Sequence, residues 1–290
     1  MPHKVHLSKS IFDRALNIEA TKNYRLSIQF SPDGFSFCVL DASRNKYSGL
    51  EIHDFQDVHS SVLLEEVLER IISGSKWLNN DFQATSIVYE SQQMSLIPKP
   101  LFQPGQVSEY LRFNHILSAD DNVCYDQLPN LDAVNIFSVP DKIIKLLDHF
   151  FPGVPVHHFS SALVENILIR NKNFGQGEMI FVNVRKQWLD IIVLDGRKLL
   201  FFNSFQYRTK EDFAYYLMYV IEQLGMNPEM VELVLMGEII KISDIFNITT
   251  RYVRHVNFIS RSEENSYSYV FDEIPEHFHY NLLNLQRCEL

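Results

Sequence analysis

Histidine pairs are the residues whose type and spacing most directly suggest chemistry in this sequence. His157 and His158 are adjacent, and His277 and His279 flank Phe278. Alternate residues of a strand share a face, so two such imidazoles could reach one zinc ion. No cysteine or carboxylate at ligand spacing accompanies either group. We therefore interpret these histidines as exposed or hydrogen-bonded, and we predict no metal site.

Two further patterns resemble a nucleotide loop and a nucleophile motif but lack their context. Gly175-Gln176-Gly177 has the spacing of a dinucleotide loop, which must follow a strand and open a helix, whereas this segment precedes a predicted strand. Ser160-Ser161 stands at a predicted helix start, where serine is a favoured cap, and no nucleophile elbow surrounds it. Neither pattern predicts catalysis.

The composition limits the classes of partner. The 290 residues include 26 Lys and Arg against 36 Asp and Glu, which gives a formal net charge of −10, and 46% of them are apolar. This is an ordinary globular composition, and its acidic surplus repels phosphate backbones, so we expect no nucleic-acid partner. Arg185-Lys186 and Arg197-Lys198 fall where hairpin ends are expected, and we interpret them as solvated turn charges.

Cysteine usage and hydropathy indicate the compartment. Cys38, Cys124 and Cys288 are an odd number without C-x-x-C spacing, which favours reduced thiols over a disulfide framework. The N-terminal residues lack the apolar core of a signal peptide, and no run approaches the roughly 18 apolar residues of a membrane span. We expect a cytoplasmic protein without a membrane span.

The hydrophobic pattern predicts the same succession of elements twice, with three strands before a helix and single strands alternating with helices after it. The first copy contains the predicted strands Tyr24–Phe30, Phe35–Asp41, Gly49–Phe55, Ser86–Glu90 and Val154–His158 and the helices Ser61–Gly74, Asp141–Phe151 and Ser161–Arg170. The second contains the strands Glu178–Val184, Trp188–Leu194, Leu199–Phe205, Val231–Met236 and Tyr252–Phe258 and the helices Thr209–Leu224 and Lys241–Phe246.

The order β-β-β-α-β-α-β in each copy implies a mixed five-stranded sheet covered by helices. Met94–Pro98 is expected to extend the first sheet, and a polar linker, Asn171–Gly177, separates the two copies. A short helix is expected near Pro275–Leu285. The predicted organisation is an N-terminal arm over 1–22, a first half over 23–171 with an insertion at about 106–138, a second half over 177–260 and a C-terminal tail over 261–290.

Two such units in tandem resemble the duplicated ribonuclease-H-like fold of the actin-like ATPase superfamily. The chain is similar to a bacterial family of unknown function with that fold, and more distantly to the actin-like assembly proteins of type IV pili. The resemblance covers about residues 24–260 and rests on element order and on two segments, residues 94–102 (MSLIPKPLF) and 231–238 (VELVLMGE). It implies an α/β fold with mixed sheets.

The resemblance also implies where a nucleotide site would lie. In active members the first hairpin of each half has an Asp-x-Gly-type turn, because backbone N–H groups wrap the phosphates while a carboxylate orients magnesium. The matching positions here are Asp33 and Gly34 in the first turn and Arg185 and Lys186 in the second, with Gly237 at the place of the base-contacting glycines.

These positions depart from the active pattern. Pro32 lacks an N–H group, Asp33 stands directly beside Gly34, and the turn at Arg185-Lys186 contains neither glycine nor acid. The strand Tyr24–Phe30 contains no acidic residue, so a two-metal nuclease is not expected either. We predict a vestigial nucleotide site and no catalytic residues.

The leading hypothesis is a non-catalytic, cytoplasmic actin-like protein that serves as a scaffold or assembly factor for an unidentified protein partner, without a cofactor beyond weak ATP·Mg²⁺ binding. The alternative is an ATPase or sugar-kinase-like enzyme in which Asp33 coordinates magnesium and Arg185 or Lys186 holds phosphate. The insertion and the tail are the expected partner surfaces. Phe201-Phe202, Phe205 and Tyr207 are expected to furnish core, with a recognition surface as the alternative.

Overall fold

The computed structural model describes residues 4–172, 177–288 and 290, and these residues form two compact units. The first unit comprises the described residues up to Asn166 together with the described parts of Glu263–Glu273 and Asn281–Leu290. The second comprises the described part of Ile167–Ser262 together with Ile274–Tyr280. The boundary falls within a helix, whereas residues 173–176 of the predicted linker lie outside the described residues.

Among its described residues, the first unit contains a main sheet, a smaller sheet and four α-helices, the last of which it shares with the second unit. Its strands are β1 (Lys4–Phe12), β2 (Tyr24–Ser31), β3 (Gly34–Asp41), β4 (Lys46–Gln56), β5 (Ala84–Tyr89), β6 (Met94–Pro98), β7 (Asp121–Leu128), β8 (Ala133–Pro140), β9 (Val156–His158) and, late in the chain, β15 (Ser266–Tyr267). Its helices are α1 (Ser61–Gly74), α2 (Val107–Arg112), α3 (Asp141–Phe150) and the first part of α4 (Phe159–Asn171).

The main sheet has the order β1-β4-β3-β2-β5-β9, with β15 also paired to β4. The three predicted strands β2, β3 and β4 form an antiparallel meander, and β5 and β9 run parallel to β2. Alternate residues of β2 face one side, so Leu26, Ile28 and Phe30 enter the same buried cluster as Val67 and Leu68 of α1. This cluster is the core that fixes the first hairpin.

The predicted N-terminal arm over 1–22 contains a strand that the sequence pattern does not predict, followed by the 3-10 helix Ile18–Asn23. Lys4–Phe12 is a strand that pairs antiparallel with β4, and the Phe12 ring stacks on Trp77 at 5.0 Å between ring centroids. An edge strand gains main-chain hydrogen bonds from its neighbour, so it needs few apolar residues, and this one has a weak hydrophobic pattern.

The predicted insertion at about 106–138 is a larger inserted subdomain. Strands β6, β8 and β7 form a three-stranded antiparallel sheet in that order, and α2 lies on it through a small buried cluster of Leu111, Val134 and Ile136. Met94–Pro98 therefore does not extend the main sheet, because the place beside β5 is occupied by β9. The subdomain runs from Met94 to Pro140.

Part of the predicted C-terminal tail over 261–290 belongs to the first unit. A 3-10 helix, Leu282–Arg287, replaces the helix predicted near 275–285, and Leu282, Leu283 and Leu285 are buried. Gln286 Nε2 donates a hydrogen bond to the Leu26 carbonyl at 3.0 Å. These apolar side chains are buried, so this part of the tail is not an open partner surface.

Asp13 joins three segments of the first unit. Its carboxylate accepts hydrogen bonds from Ser268 Oγ at 2.6 Å, from the Ala15 N–H at 2.9 Å and from Lys46 Nζ at 3.4 Å. The hydrogen bond from Ser268 contributes most, with those from Ala15 and Lys46, to holding the pKa of Asp13 below its ordinary value. A lowered pKa means that the folded unit favours the carboxylate form.

Asp13→Ala is expected to lower the free energy of unfolding at pH 7 by about 1–2 kcal/mol. Because the folded pKa is depressed, this stabilisation is present above the pKa of the unfolded state, about 3.9, and is lost as the pH falls through the lower folded value. Urea denaturation at a series of pH values should show wild type and variant converging at low pH. Asp81→Ala, at a carboxylate whose side chain is 86% exposed, is the matched control. A difference that does not change with pH would contradict this assignment.

The second unit repeats the meander. Its strands are β10 (Glu178–Val184), β11 (Trp188–Asp195), β12 (Lys198–Gln206), β13 (Glu232–Gly237) and β14 (His255–Phe258), in the sheet order β12-β11-β10-β13-β14. Strands β10, β11 and β12 are antiparallel, and β13 and β14 run parallel to β10. Each unit therefore has the predicted β-β-β-α-β-α-β strand arrangement.

Helices α5 (Lys210–Gln223) and α6 (Asp244–Tyr252) complete the second unit. Helix α5 begins with a reciprocal capping box between Thr209 and Asp212. Helix α6 begins at Asp244, whereas the sequence predicts a start at Lys241. The observed start follows from the cap, because Ser243 Oγ accepts the Phe246 N–H at 3.2 Å. No helix among the described residues has the length and apolar character that a membrane crossing needs.

The three cysteines of the chain are free thiols. Burial raises the pKa of Cys38 and of Cys288 to about 12, and burial also raises the pKa of Cys124. Thiolate is the reactive form, so these side chains are expected to be inert at neutral pH.

Candidate functional site

The first hairpin turn lies between β2 and β3 in the first unit. The Asp33 N–H donates to Ser31 Oγ at 3.0 Å, and the Asp33 carbonyl accepts the Phe55 N–H at 2.9 Å. A Cβ atom at Gly34 would lie 2.8 Å from the His53 carbonyl oxygen. The close approach of β4 therefore explains why residue 34 is a glycine. The N–H and carbonyl groups of Asp33 are both hydrogen-bonded to residues of the same unit.

The second hairpin turn lies between β10 and β11 in the second unit, and its backbone is likewise hydrogen-bonded internally. The Arg185 N–H donates to the Trp188 carbonyl at 2.8 Å, and the Tyr207 hydroxyl donates to the Arg185 carbonyl at 2.7 Å. The Tyr207 N–H donates to the Gln187 carbonyl at 3.0 Å. An anion-binding turn must instead direct its N–H groups at the ligand.

The Arg185 side chain folds back onto a buried carboxylate. Its Nε and Nη2 atoms donate to the two oxygens of Asp190 at 2.9 and 2.6 Å, a bidentate pair. Asn183 Nδ2 and Ser204 Oγ also donate to Asp190, which is 1% exposed. We call Asn183, Arg185, Asp190 and Ser204 the Arg185 cluster. Within this cluster the Arg185 guanidinium is hydrogen-bonded to Asp190, whereas the alternative hypothesis from the sequence assigns it to phosphate binding.

Asp190 is the main residue of this cluster that the sequence analysis missed. It lies in the middle of the apolar strand Trp188–Asp195, five positions after Arg185 and across the hairpin from it. A charged residue in a buried strand requires an opposite charge, and that requirement was the available signal.

Gly237 ends β13 beside the carboxyl end of β10. Its φ is +86°, and a Cβ atom there would lie 2.2 Å from the Val184 carbonyl oxygen and 2.8 Å from Asn183 Oδ1. The Gly237 N–H donates to the His277 carbonyl at 2.9 Å, and the Glu238 N–H donates to the Val184 carbonyl at 2.7 Å. Both the backbone angle and this close approach require glycine.

The structure thus places the predicted positions in two separate groups. Arg185 and Gly237 meet at the carboxyl ends of β10 and β13 in the second unit, and Lys186 is exposed at the tip of the same hairpin. Asp33 and Gly34 belong to the first unit. The role of these residues in a vestigial nucleotide site stays a prediction.

Both histidines of the first pair, His157 and His158, are hydrogen-bonded. In the first unit, His157 Nδ1 lies 2.8 Å from Asp126 Oδ1, and the His158 ring bonds to Ser160 Oγ at 2.7 Å and to the Ser91 carbonyl at 3.1 Å. A cavity of about 440 Å³ adjoins His157 and Asp126. No group of three or more His, Cys, Asp or Glu side chains that could hold a metal occurs within residues 4–172, 177–288 and 290.

In the second unit, His277 has a structural environment. Its Nε2 donates to the Ile239 carbonyl at 2.6 Å, and the Phe258 ring lies 4.1 Å from the imidazole, centroid to centroid. Burial lowers the pKa of His277, which favours the neutral form of the ring. This histidine therefore supports the backbone that holds Gly237.

Comparison with known proteins places the chain among proteins of this architecture. A family model described as "Protein of unknown function (DUF3822)" matches residues 13–256. The chain is similar to a crystal structure from Bacteroides thetaiotaomicron, described as a protein with actin-like ATPase fold and unknown function. The TM-score is 0.79 at 25% identity, and the match covers 94% of this chain and 99% of the other.

A second similar structure is the PilM-PilN type IV pilus biogenesis complex. Its TM-score is 0.61 at 10% identity, with 91% of this chain and 98% of the other covered. At that identity the likeness concerns the fold. No curated protein matches the chain. The chain therefore has the actin-like ATPase fold that its duplicated element order predicted.

Proposed function

The chain belongs to the DUF3822 family, and we propose that it is a non-catalytic actin-like protein that acts as a scaffold or assembly factor. Function resides in sites and not in folds, so the actin-like fold alone does not make an ATPase. The proposal therefore depends on whether the turns at which active members of the fold hold phosphate are free to bind it in this chain.

The observation that carries the proposal is the internal engagement of the second hairpin turn. The Arg185 N–H bonds the Trp188 carbonyl, and its guanidinium forms a bidentate pair with buried Asp190. A phosphate that replaced Asp190 as the partner of this guanidinium would leave Asp190 as a buried, unpaired charge, which costs several kcal/mol. The first turn supports the same conclusion, because Pro32 has no N–H group.

A protein partner is the second part of the proposal. The inserted subdomain exposes Phe113 (89%) and Ile116 (94%) near one another in the chain, together with Leu101 (66%). Neighbouring exposed apolar side chains are typical of interaction surfaces. PilM, which shares the fold, has been solved together with PilN, a second protein.

Three free thiols with raised pKa values are consistent with a cytoplasmic location.

Thermal denaturation with and without Mg·ATP tests whether the protein is an ATPase. A nucleotide at 1,000 times its Kd stabilises a protein by about 4 kcal/mol, which raises Tm by several degrees for a protein of this size. We expect Tm to change by less than about 1 °C at millimolar Mg·ATP.

The alternative ATPase or sugar-kinase-like function predicts the opposite result. Tm would rise with Mg·ATP in the wild type, and Asp33→Ala would abolish the rise, because the alternative assigns magnesium coordination to Asp33. Lys172→Ala, at an exposed lysine outside both turns, is the control that should behave as wild type. A rise that Asp33→Ala abolishes would overturn the proposal.

A further inference from the structure

The two units differ in whether a further strand pairs with the outer edge of the meander. In the first unit, β4 is the third strand of the meander, and β1 pairs antiparallel with its outer edge. In the second unit, β12 is the third strand, and it is the last strand of its sheet among the described residues. The fold therefore accepts an added strand at this position in one unit and leaves the equivalent place open in the other.

The backbone of β12 is suited to strand addition. The Tyr207 N–H bonds the Gln187 carbonyl on the β11 side, whereas the Ser204 N–H bonds the side chain of Asn203. Antiparallel ladders alternate direction at each residue, so the N–H and C=O groups of Phe202, Ser204 and Gln206 point away from β11. Such an outward-facing row is a template for another strand, which at Ser204 would take the place of the Asn203 side chain as the acceptor of the N–H group.

Aromatic side chains extend from this edge onto α5. Phe205 stacks on Phe201 with centroids 6.3 Å apart and on Tyr216 at 4.7 Å. Tyr215 contacts Tyr216 and stacks on Tyr219, and these two outer tyrosines are 64% and 45% exposed. We call these five residues the aromatic strip. Side chains of an added strand that face α5 would lie against it.

The charges near β12 indicate whether its edge would pair with a second copy of this chain or with a different protein. The segment from Gly196 to Lys210 contains four Lys and Arg residues and no Asp or Glu, in a chain of net charge −10. Arg197 and Lys198 lie at one end of β12 and Arg208 just beyond the other, and all three are exposed. Antiparallel pairing of two β12 strands would bring these like charges together, which is unfavourable. An acidic partner strand would be attracted at both ends.

We propose that the outer edge of β12 binds an extended segment of a partner protein that is apolar in its middle and acidic at both ends. The segment adds to the sheet as β1 does in the first unit, its backbone pairs with Phe202, Ser204 and Gln206, and its apolar side chains cover the aromatic strip. The inference rests on the proposed function as a protein-binding scaffold, and it names the surface and the chemistry of the partner.

The test uses the full chain and a fluorescent peptide of about ten residues that alternates Val and Thr and carries two Glu at each end. A counterpart with Lys in place of Glu has the same middle. We expect fluorescence anisotropy to show binding of the Glu peptide only. We also expect hydrogen exchange to slow in the segment Lys198–Gln206 when the peptide is bound.

Two variants make the test specific. Gln206→Pro removes an outward N–H at an exposed residue, a change that an edge strand tolerates, and should weaken binding about tenfold, whereas Gln206→Ala retains the N–H and should bind as wild type. The double variant Arg197→Glu with Arg208→Glu should reverse the preference to the Lys peptide. Circular dichroism checks that each variant is folded.

Three results would overturn the inference. They are no binding of the Glu peptide, binding that neither Gln206→Pro nor the charge reversal changes, and dimerisation of the chain through β12 in the absence of peptide. The Mg·ATP experiment is independent of these. If the peptide fails to bind and Mg·ATP also causes no stabilisation, this inference is wrong while the non-catalytic assignment stands.

Discussion

Asp190→Ala is expected to lower the free energy of unfolding by about 3–5 kcal/mol. The substitution leaves the Arg185 guanidinium, 12% exposed in the folded chain, without the carboxylate that accepts two of its hydrogen bonds. It also removes the acceptor of Asn183 and Ser204, which are donors in the same cluster. Breaking a buried pair by removing one partner costs far more than the pair itself contributes, because the remaining charge stays buried. Chemical denaturation with urea measures the effect.

A double-mutant cycle separates the pair from its surroundings. Arg185→Gln leaves the buried Asp190 carboxylate without its cation, so it too is expected to cost several kcal/mol. Arg185→Gln combined with Asp190→Asn should be less destabilised than the sum of Arg185→Gln and Asp190→Asn measured separately. An additive cycle would show that Arg185 and Asp190 do not interact in solution. It would also remove the main structural reason for excluding phosphate from this turn.

Gly237→Ala is expected to cost about 3 kcal/mol or more, because two independent penalties coincide. The added Cβ would lie 2.2 Å from the Val184 carbonyl oxygen, a backbone atom that cannot move without shifting β10. The φ of +86° adds the strain of a left-handed backbone in a residue with a side chain. The resemblance assigned this glycine to nucleotide contact, whereas the packing of β10 against β13 gives a reason for it without any ligand.

Gly225→Ala is the matched control. Gly225 also has a positive φ, +66°, but no atom lies within 4 Å of the position that its Cβ would take. This variant therefore measures the backbone strain alone, about 1–2 kcal/mol. The difference between the two variants in urea denaturation is the cost of the close contact. Equal costs at both positions would mean that β10 yields without penalty, and the site would then be more open than the structure indicates.

The regular elements could be predicted because local patterns decide them. The meander in the second unit follows from alternating apolar residues and from Asp195-Gly196, whose positive φ of +57° at the glycine suits a tight hairpin. Helix α5 follows from an apolar stripe and from the Thr209 capping box. In each of these elements the stabilising interactions lie within a few residues of one another, so the sequence alone reveals them.

The elements that were missed depend on distant partners. Strand β1 is stabilised by pairing with β4. The 3-10 helix Leu282–Arg287 has buried leucines, and its Gln286 donates a hydrogen bond to Leu26, 260 residues earlier in the chain. Neither partner is visible in the local pattern. Asp190 was missed for a similar reason, since its role depends on the hairpin that brings Arg185 back across the strand.

The central claim is that the turns at which active members of the fold hold triphosphate are filled by the chain itself. Isothermal titration calorimetry of the whole protein with Mg·ATP measures this most directly, because it detects nucleotide binding whether or not hydrolysis follows. The account predicts no saturable heat up to millimolar nucleotide. Saturable binding with a micromolar Kd, weakened by Asp33→Ala or by a change at Lys186, would contradict it.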